Sequence, residues 1–192
     1  IAEDGEILAK GPNVMSGYYK DDQATAEVFD EDGWFKTGDI GIFDDDGFLK
    51  ITDRKKSLIV TSGGKNVAPA PIEGKLTNSS YIEQALVIGD KKNFISALIV
   101  PNFESLSNHL KNTNNNLSDP EAMVEHEDVL ALFQKEVDIA MQDFSNYEKV
   151  KKFILLPNLF SIEKGEMTPK MSIVRKVVEK NYANMIDKMY EQ

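Results

Sequence analysis

Several stretches of this chain place chemically able residues at telling positions. In "TGD", Asp39 closes a short apolar run. An ionised carboxylate offers two acceptor oxygens, enough to engage both hydroxyls of a vicinal diol such as a ribose. A lone Gly-Asp pair would as readily close a turn. Asp53-Arg54-Lys55-Lys56 then sets four charges between two apolar runs. Arg54 contributes a planar fork of donors and a permanent positive charge, with an ion pair to Asp53 as the plain alternative. Taken alone, the run reads as a solvated turn. In "SGGKN", Gly63 and Gly64 allow a backbone to approach a ligand closely, although a glycine pair also simply turns a chain. Lys164 in "EKGE" and Lys170 in "TPKMS" each offer a long cationic arm near the other end.

Composition bounds what these residues serve. The 192 residues are 41% hydrophobic and 28% charged, enough for one or two globular domains with a core. A net charge of -10 argues against a general nucleic-acid binder, which needs clustered Lys and Arg for phosphate contacts. With no cysteine, disulfides, thiolate metal sites and a Cys nucleophile are excluded, and a reducing cytoplasm is compatible. His109 and His126 lack metal-ligand spacing and read as surface residues. No apolar run approaches a membrane span, and the start "IAEDGEIL", already strand-like and without Met, suggests a piece of a longer protein.

The elements that must position the candidates follow from periodicity. Short β-like runs at 6–10, 34–43 and 48–52, separated by Asp-Gly turns, predict a small antiparallel sheet, with a helix starting near Asp22. "PAPIEGKLTNS" predicts a helix with Pro71 and Glu73 in its first turn. "IEQALVI" and "FISALIV" around "GDKKN" predict an antiparallel hairpin, and 107–119 an exposed Asn-rich loop. Ser118-Asp-Pro-Glu121 reads as a capping box, opening a helix on which Val129, Phe133, Val137, Ala140, Phe144 and Tyr147 recur every three or four residues. "KFILLP" and "TPKMSIV" read as strands and "RKVVEKNYANMIDKMYEQ" as a terminal helix. The expected class is α+β: an antiparallel β segment, then a compact α+β domain with helices on a small sheet.

The motifs also carry a resemblance. "GEILAKGPNVMSGYYKDDQATAEVF", "DGWFKTGDIGIFDDDGFLKITDRKK" and "GGKNVAPAPIE", in that order, with a terminal "TPK...R" region, resemble the C-terminal third of AMP-forming long-chain acyl-CoA synthetases. These are members of the adenylate-forming superfamily, which includes luciferases and peptide-synthetase adenylation domains. The resemblance implies that 1–53 ends a large N-terminal domain and that 54–192 is a mobile lid. It implies a fatty acid, ATP, Mg2+ and CoA as substrates and cofactors, in sites completed by that N-terminal domain. The phosphate loop and acyl pocket would lie upstream, leaving this piece inactive by itself. Asp39 and Arg54 would bind the nucleotide. Lys56 would be the hinge, where a charged residue stays solvated in both domain orientations. Gly63 and Gly64 would line the pantetheine tunnel.

One position departs from the family. Its adenylation lysine usually stands three residues before an Arg, and here that position, counted from Arg175, is Ser172. Lys170, two residues earlier, would project from the same face of a strand and is the expected catalytic lysine, with Lys164 as the weaker candidate. Rival readings are an adenylating enzyme that delivers its acyl group to a carrier protein, and a non-catalytic binding module. Contact of the parent with a membrane surface is left open.

Overall fold

The computed structural model describes residues 1–112 and 117–191, and the chain divides into two compact units, Ile1–Leu58 and Ile59–Gln192. The sequence reading divides it after residue 53.

In the first unit β1 (Glu6–Ala9), α1 (Asp22–Val28), β2 (Phe35–Phe43) and β3 (Leu49–Arg54) follow in order. The strands form an antiparallel sheet ordered β1-β2-β3. The β2–β3 turn closes because Asp44 Oδ1 accepts from the N–H of Asp46 and of Phe48, while Gly47 takes φ +82° without a Cβ clash. Asp21 caps α1 by accepting from Ala24 N–H at 2.9 Å. A bulge follows Ile40, and a Cβ on Gly41 would sit 2.7 Å from both Ile7 Cδ1 and Lys50 O, so the bulge needs glycine. Ile40 is the one hydrophobic side chain buried among the described residues of this unit, while Phe43, Phe48, Leu49 and Ile51 are exposed.

The second unit opens with a two-stranded ribbon, β4 (Ile59–Val60) and β5 (Asn66–Val67), then α2 (Pro69–Thr77). There follow β6 (Ile82–Ile88), β7 (Ile95–Pro101), α3 (Phe103–Asn112), α4 (Pro120–Glu125), α5 (Glu127–Ala140), β8 (Val150–Leu155), α6 (Arg175–Asn181) and α7 (Ala183–Tyr190). The main sheet runs β6-β7-β8, its first pair antiparallel and its second parallel. Every residue of β7 is buried, because its alternation feeds two cores. Ile95, Ala97 and Ile99 pack with Ile72 and Leu76 of α2, Leu106 of α3 and Phe133 of α5. Leu98 and Val100 pack with Val178 of α6 and Ile186 and Met189 of α7. The α+β expectation holds, with helices on both faces of the sheet.

Local expectations need correction. Helix α2 begins at Pro69, so Glu73 lies beyond its first turn. The stretch 107–119 is helical as far as Asn112, because Leu106 and Leu110, one turn apart, are buried; 113–116 lie outside the described residues. Pro120 takes the first helical position of α4, which makes Asp119 its cap rather than Ser118. The long helix expected next is interrupted at His126, extended at φ -76° and ψ 134°, whose Nδ1 accepts from Asp128 N–H and caps α5. That helix stops at Ala140, so Phe144 and Tyr147 fall beyond it; Phe144 still packs on the core. His109 is half-buried, edge-on to Tyr81, rather than a bare surface residue. The terminal helix divides at Tyr182. "TPKMSIV" makes no strand, only an isolated bridge between Met167 and Ile173. Among the described residues no helix is long and apolar enough to cross a membrane.

Candidate functional site

In the first unit, register does the positioning. Asp39 on β2 lies opposite Arg54 on β3, and Arg54 Nε meets Asp39 Oδ1 at 2.9 Å. The Arg54 guanidinium therefore pairs with Asp39 across the strands, while the Arg54 N–H donates to Asp53 Oδ1 at 2.6 Å. A buried carboxylate that sequence reading missed braces this pair. Glu6, 4% exposed, accepts from Gly38 N–H at 2.9 Å and from Lys55 Nζ at 2.8 Å. It thus ties the "TGD" stretch of β2 to the charge run. Lys55 also meets Asp4 at 2.5 Å. The Lys55 ammonium, with the Glu6 N–H, holds the Asp4 carboxyl below its ordinary value, and Asp4 and Glu6 together raise Lys55. Lys56 is exposed in the 3-10 turn Lys55–Ser57. A cleft of about 690 Å³ is lined by Glu6, Thr37, Gly38, Arg54, Lys55 and Lys56. The structure thus brings Asp39, Arg54 and Lys56 to one end of a single sheet.

In the second unit, Gly63 and Gly64 form the β4–β5 turn. Gly64 N–H donates to Thr61 O, Thr61 N–H to Lys65 O, and Gly64 takes φ +72°. A Cβ on Gly64 would meet nothing within 4 Å, so the loop faces open space. Gly63 also lines a cavity of about 190 Å³ with Lys65, Asn93, Phe94, Tyr147, Lys149 and Lys151. No ion pair among the described residues occupies Lys65, Lys149 or Lys151. In a chain of net charge -10 this is a local reserve of positive charge beside a glycine loop. The sequence signal was "EKVKK", easily taken as a solvated strand end.

Lys170 sits in a tight turn over 168–172, closed by Met171 N–H to Thr168 O and Thr168 N–H to Ser172 O. Met171 takes φ +61°, a left-handed conformation, so the chain reverses there. Lys170 and Ser172 therefore do not share one face of a strand, contrary to what the sequence suggested. Lys170 is exposed, and so is Lys164 in the neighbouring turn closed by Gly165 N–H to Ile162 O. Two carboxylates hold this region. Buried Glu166 accepts from Ser161 N–H and Asn181 Nδ2. Arg175, at the start of α6, donates to Glu73 at 2.6 Å and to Val87 O, while Glu73 accepts from Val87 N–H. Met167, Met171, Ile173 and Arg175 line a cavity with Glu73, separate from that of Gly63. In the sequence, Arg175 stands only as a landmark and Glu73 only as a helix-start acid.

Known proteins give these arrangements a frame. The family model described as AMP-binding enzyme C-terminal domain matches residues 56–192. Long-chain-fatty-acid–CoA ligase FadD15 of Mycobacterium tuberculosis is 44% identical over 193 residues, covering 100% of this chain and 32% of that protein. Long-chain-fatty-acid–CoA ligase 1 of Homo sapiens is 35% identical, covering 97% and 27%. The A domain of a carboxylic acid reductase from Segniliparus rugosus, solved with AMP and a co-purified carboxylic acid, matches with a TM-score of 0.74 at 26% identity. That match covers 97% of this chain and 28% of that one. The chain spans about a third of the length of the curated relatives it matches. With the family pattern running through the whole of its second unit, the chain belongs to the AMP-binding enzyme C-terminal domain family.

Proposed function

We propose that this chain is the C-terminal part of a long-chain fatty-acid–CoA ligase. The enzyme joins a fatty acid to ATP, giving acyl-AMP and pyrophosphate, then passes the acyl group to the CoA thiol and releases AMP. The observation that carries this reading is the match along the whole chain to ligases of that name. Residues 1–53 are the end of the large N-terminal domain and 54–192 the mobile lid.

The site geometry supports distinct roles. Asp39 receives the ribose hydroxyls, held in orientation by the Arg54 guanidinium on the facing strand. Arg54 keeps a fixed positive charge beside the nucleotide. Lys170, exposed on its turn, reaches the carboxylate and α-phosphate as pyrophosphate departs. Lys56 is the pivot between the two half-reactions. The Gly63–Gly64 turn admits the pantetheine arm, and the lysine-lined cavity beside it suits the phosphates of CoA. Mg2+ enters as the companion of ATP; among the described residues no three His, Asp or Glu gather to hold a metal.

A second reading, transfer to a carrier protein, draws on the likeness to the A-PCP didomain of a carboxylic acid reductase. The lysine cavity favours the anionic cofactor over a protein acceptor. Full-length protein supplied with a long-chain fatty acid, ATP, Mg2+ and CoA should yield acyl-CoA, AMP and pyrophosphate in equal amounts. Release of ADP would sink the reading, as would acyl-AMP that ignores CoA and acylates a carrier protein.

A further inference from the structure

The last turn of α7 reaches the glycine loop through a chain of contacts inside the second unit. The Tyr190 hydroxyl lies 2.6 Å from Ser96 Oγ and 3.2 Å from the carbonyls of Ile88 and Phe94. Those residues flank the β6–β7 turn on both sides. Ser96 is wholly buried, so this is a fixed polar centre rather than a surface contact. Lys92, in the turn, meets Asp187 of α7 at 2.9 Å and lies 4.8 Å from the Tyr190 ring centre. The turn in turn holds the glycine loop: Ser62 N–H donates to Lys92 O at 2.9 Å, and Lys91 N–H to Val60 O at 2.8 Å. Phe94 links the two ends directly. Its ring is 4.6 Å from that of Tyr190 and 5.6 Å from Lys152 Nζ, and it lines the cavity shared by Gly63, Lys65, Lys149 and Lys151. Lys152 itself is anchored by donating to Met189 O of α7 at 2.7 Å.

We infer that Tyr190 and Lys92 are positioning residues for the CoA-accepting half-reaction. They set the Phe94 wall of the lysine cavity and the height of the Gly63–Gly64 turn from behind, without touching ligand. This rests on the assignment of that cavity to CoA above. An error of a few tenths of an ångström in the wall costs productive geometry, because a positioned acceptor must sit in near-attack range. None of these contacts involves Asp39, Arg54 or Lys170, the residues assigned above to adenylation.

The test measures two activities of the full-length protein: fatty-acid-dependent pyrophosphate exchange, and thioester formation from acyl-AMP as CoA is varied. Tyr190→Phe keeps the ring and removes the hydroxyl; Lys92→Met removes the ion pair and the cation over the ring. Each should raise the KM for CoA about three- to tenfold, a loss of the size of one hydrogen bond or ion pair, while exchange stays within twofold. The swapped pair Lys92→Asp with Asp187→Lys should recover part of the CoA affinity. Lys149→Ala and Lys151→Ala report on the cavity itself. If these raise the KM for CoA but Tyr190→Phe and Lys92→Met do not, the positioning role is overturned and the cavity assignment stands. If none of the four variants moves it, the cavity is not the CoA site and both fall. Parallel loss of exchange and thioester formation in Tyr190→Phe would show a merely structural tyrosine and overturn the inference.

Discussion

Lys170 projects from a turn whose reversal is fixed by the left-handed Met171, and its only assets for catalysis are reach and charge. If it is the adenylation lysine, Lys170→Ala in the full-length protein should reduce pyrophosphate exchange by roughly two to three orders of magnitude, the scale for losing a group that stabilises developing charge. Thioester formation from supplied acyl-AMP should stay near the parent rate. Normal exchange in Lys170→Ala, with loss in Lys164→Ala, would move the role to the other turn. Legibility at this scale depended on spacing. Asp39 and Arg54 announced themselves within a recognisable run, and the structure sets them face to face. Glu6 did not, because its partners Gly38 and Lys55 stand 32 and 49 residues away and a lone acid in a strand carries no spacing signal. The strand expected at Lys170 is a turn, and the turn chemistry of Thr168 and Met171 is the missed cue.

Helix α6 shows how an element sets the behaviour of its residues. It carries Arg175 outward to Glu73 and Val87 and leaves Glu179 half-buried a turn later. Burial pushes the Glu179 carboxyl up; Arg175 opposes this and Asp90 adds to it. A carboxyl raised in the folded state binds more protons there than in the unfolded chain, so stability falls as pH rises from about 4.5 through the raised value. Glu179→Gln should therefore raise the thermal midpoint at pH 8 by more than at pH 4. An equal shift at both values would remove Glu179 from the pH dependence. Elements were legible where periodicity was clean. The β6–β7 hairpin matched its two apolar runs, and α5 matched its stripe from Val129 to Ala140. Helix α3 hid because its two buried leucines sit among polar residues, and the α4–α5 break hid because a histidine is a rare cap.

Across the whole chain, the change from one compact unit to the next comes just after the Lys55–Ser57 turn, where Leu58 N–H donates to Lys55 O. A pivot at Lys56 has a direct test. Proline there fixes φ near -65° and removes an N–H, so one of two domain orientations should become inaccessible. In Lys56→Pro, pyrophosphate exchange should persist and thioester formation should fall at least tenfold. Equal loss of both, or of neither, would place the hinge elsewhere. A change of texture after the charge run was legible, a few residues before the chain divides at Leu58. The parallel addition of β8 to the hairpin was not, because a partner so far along the chain leaves no local trace.

The first sheet carries a consequence for handling the molecule. Phe43, Leu49 and Ile51 share one face of the β2–β3 hairpin, and all three are exposed, with Phe48 beside them at the turn. Water gains by expelling such a strip, and a single buried Ile40 gives its own unit little to set against that tendency. A chain cut after Leu58 would leave a first piece prone to precipitate and to capture by chaperones, whereas the second piece takes its double-sided core with it.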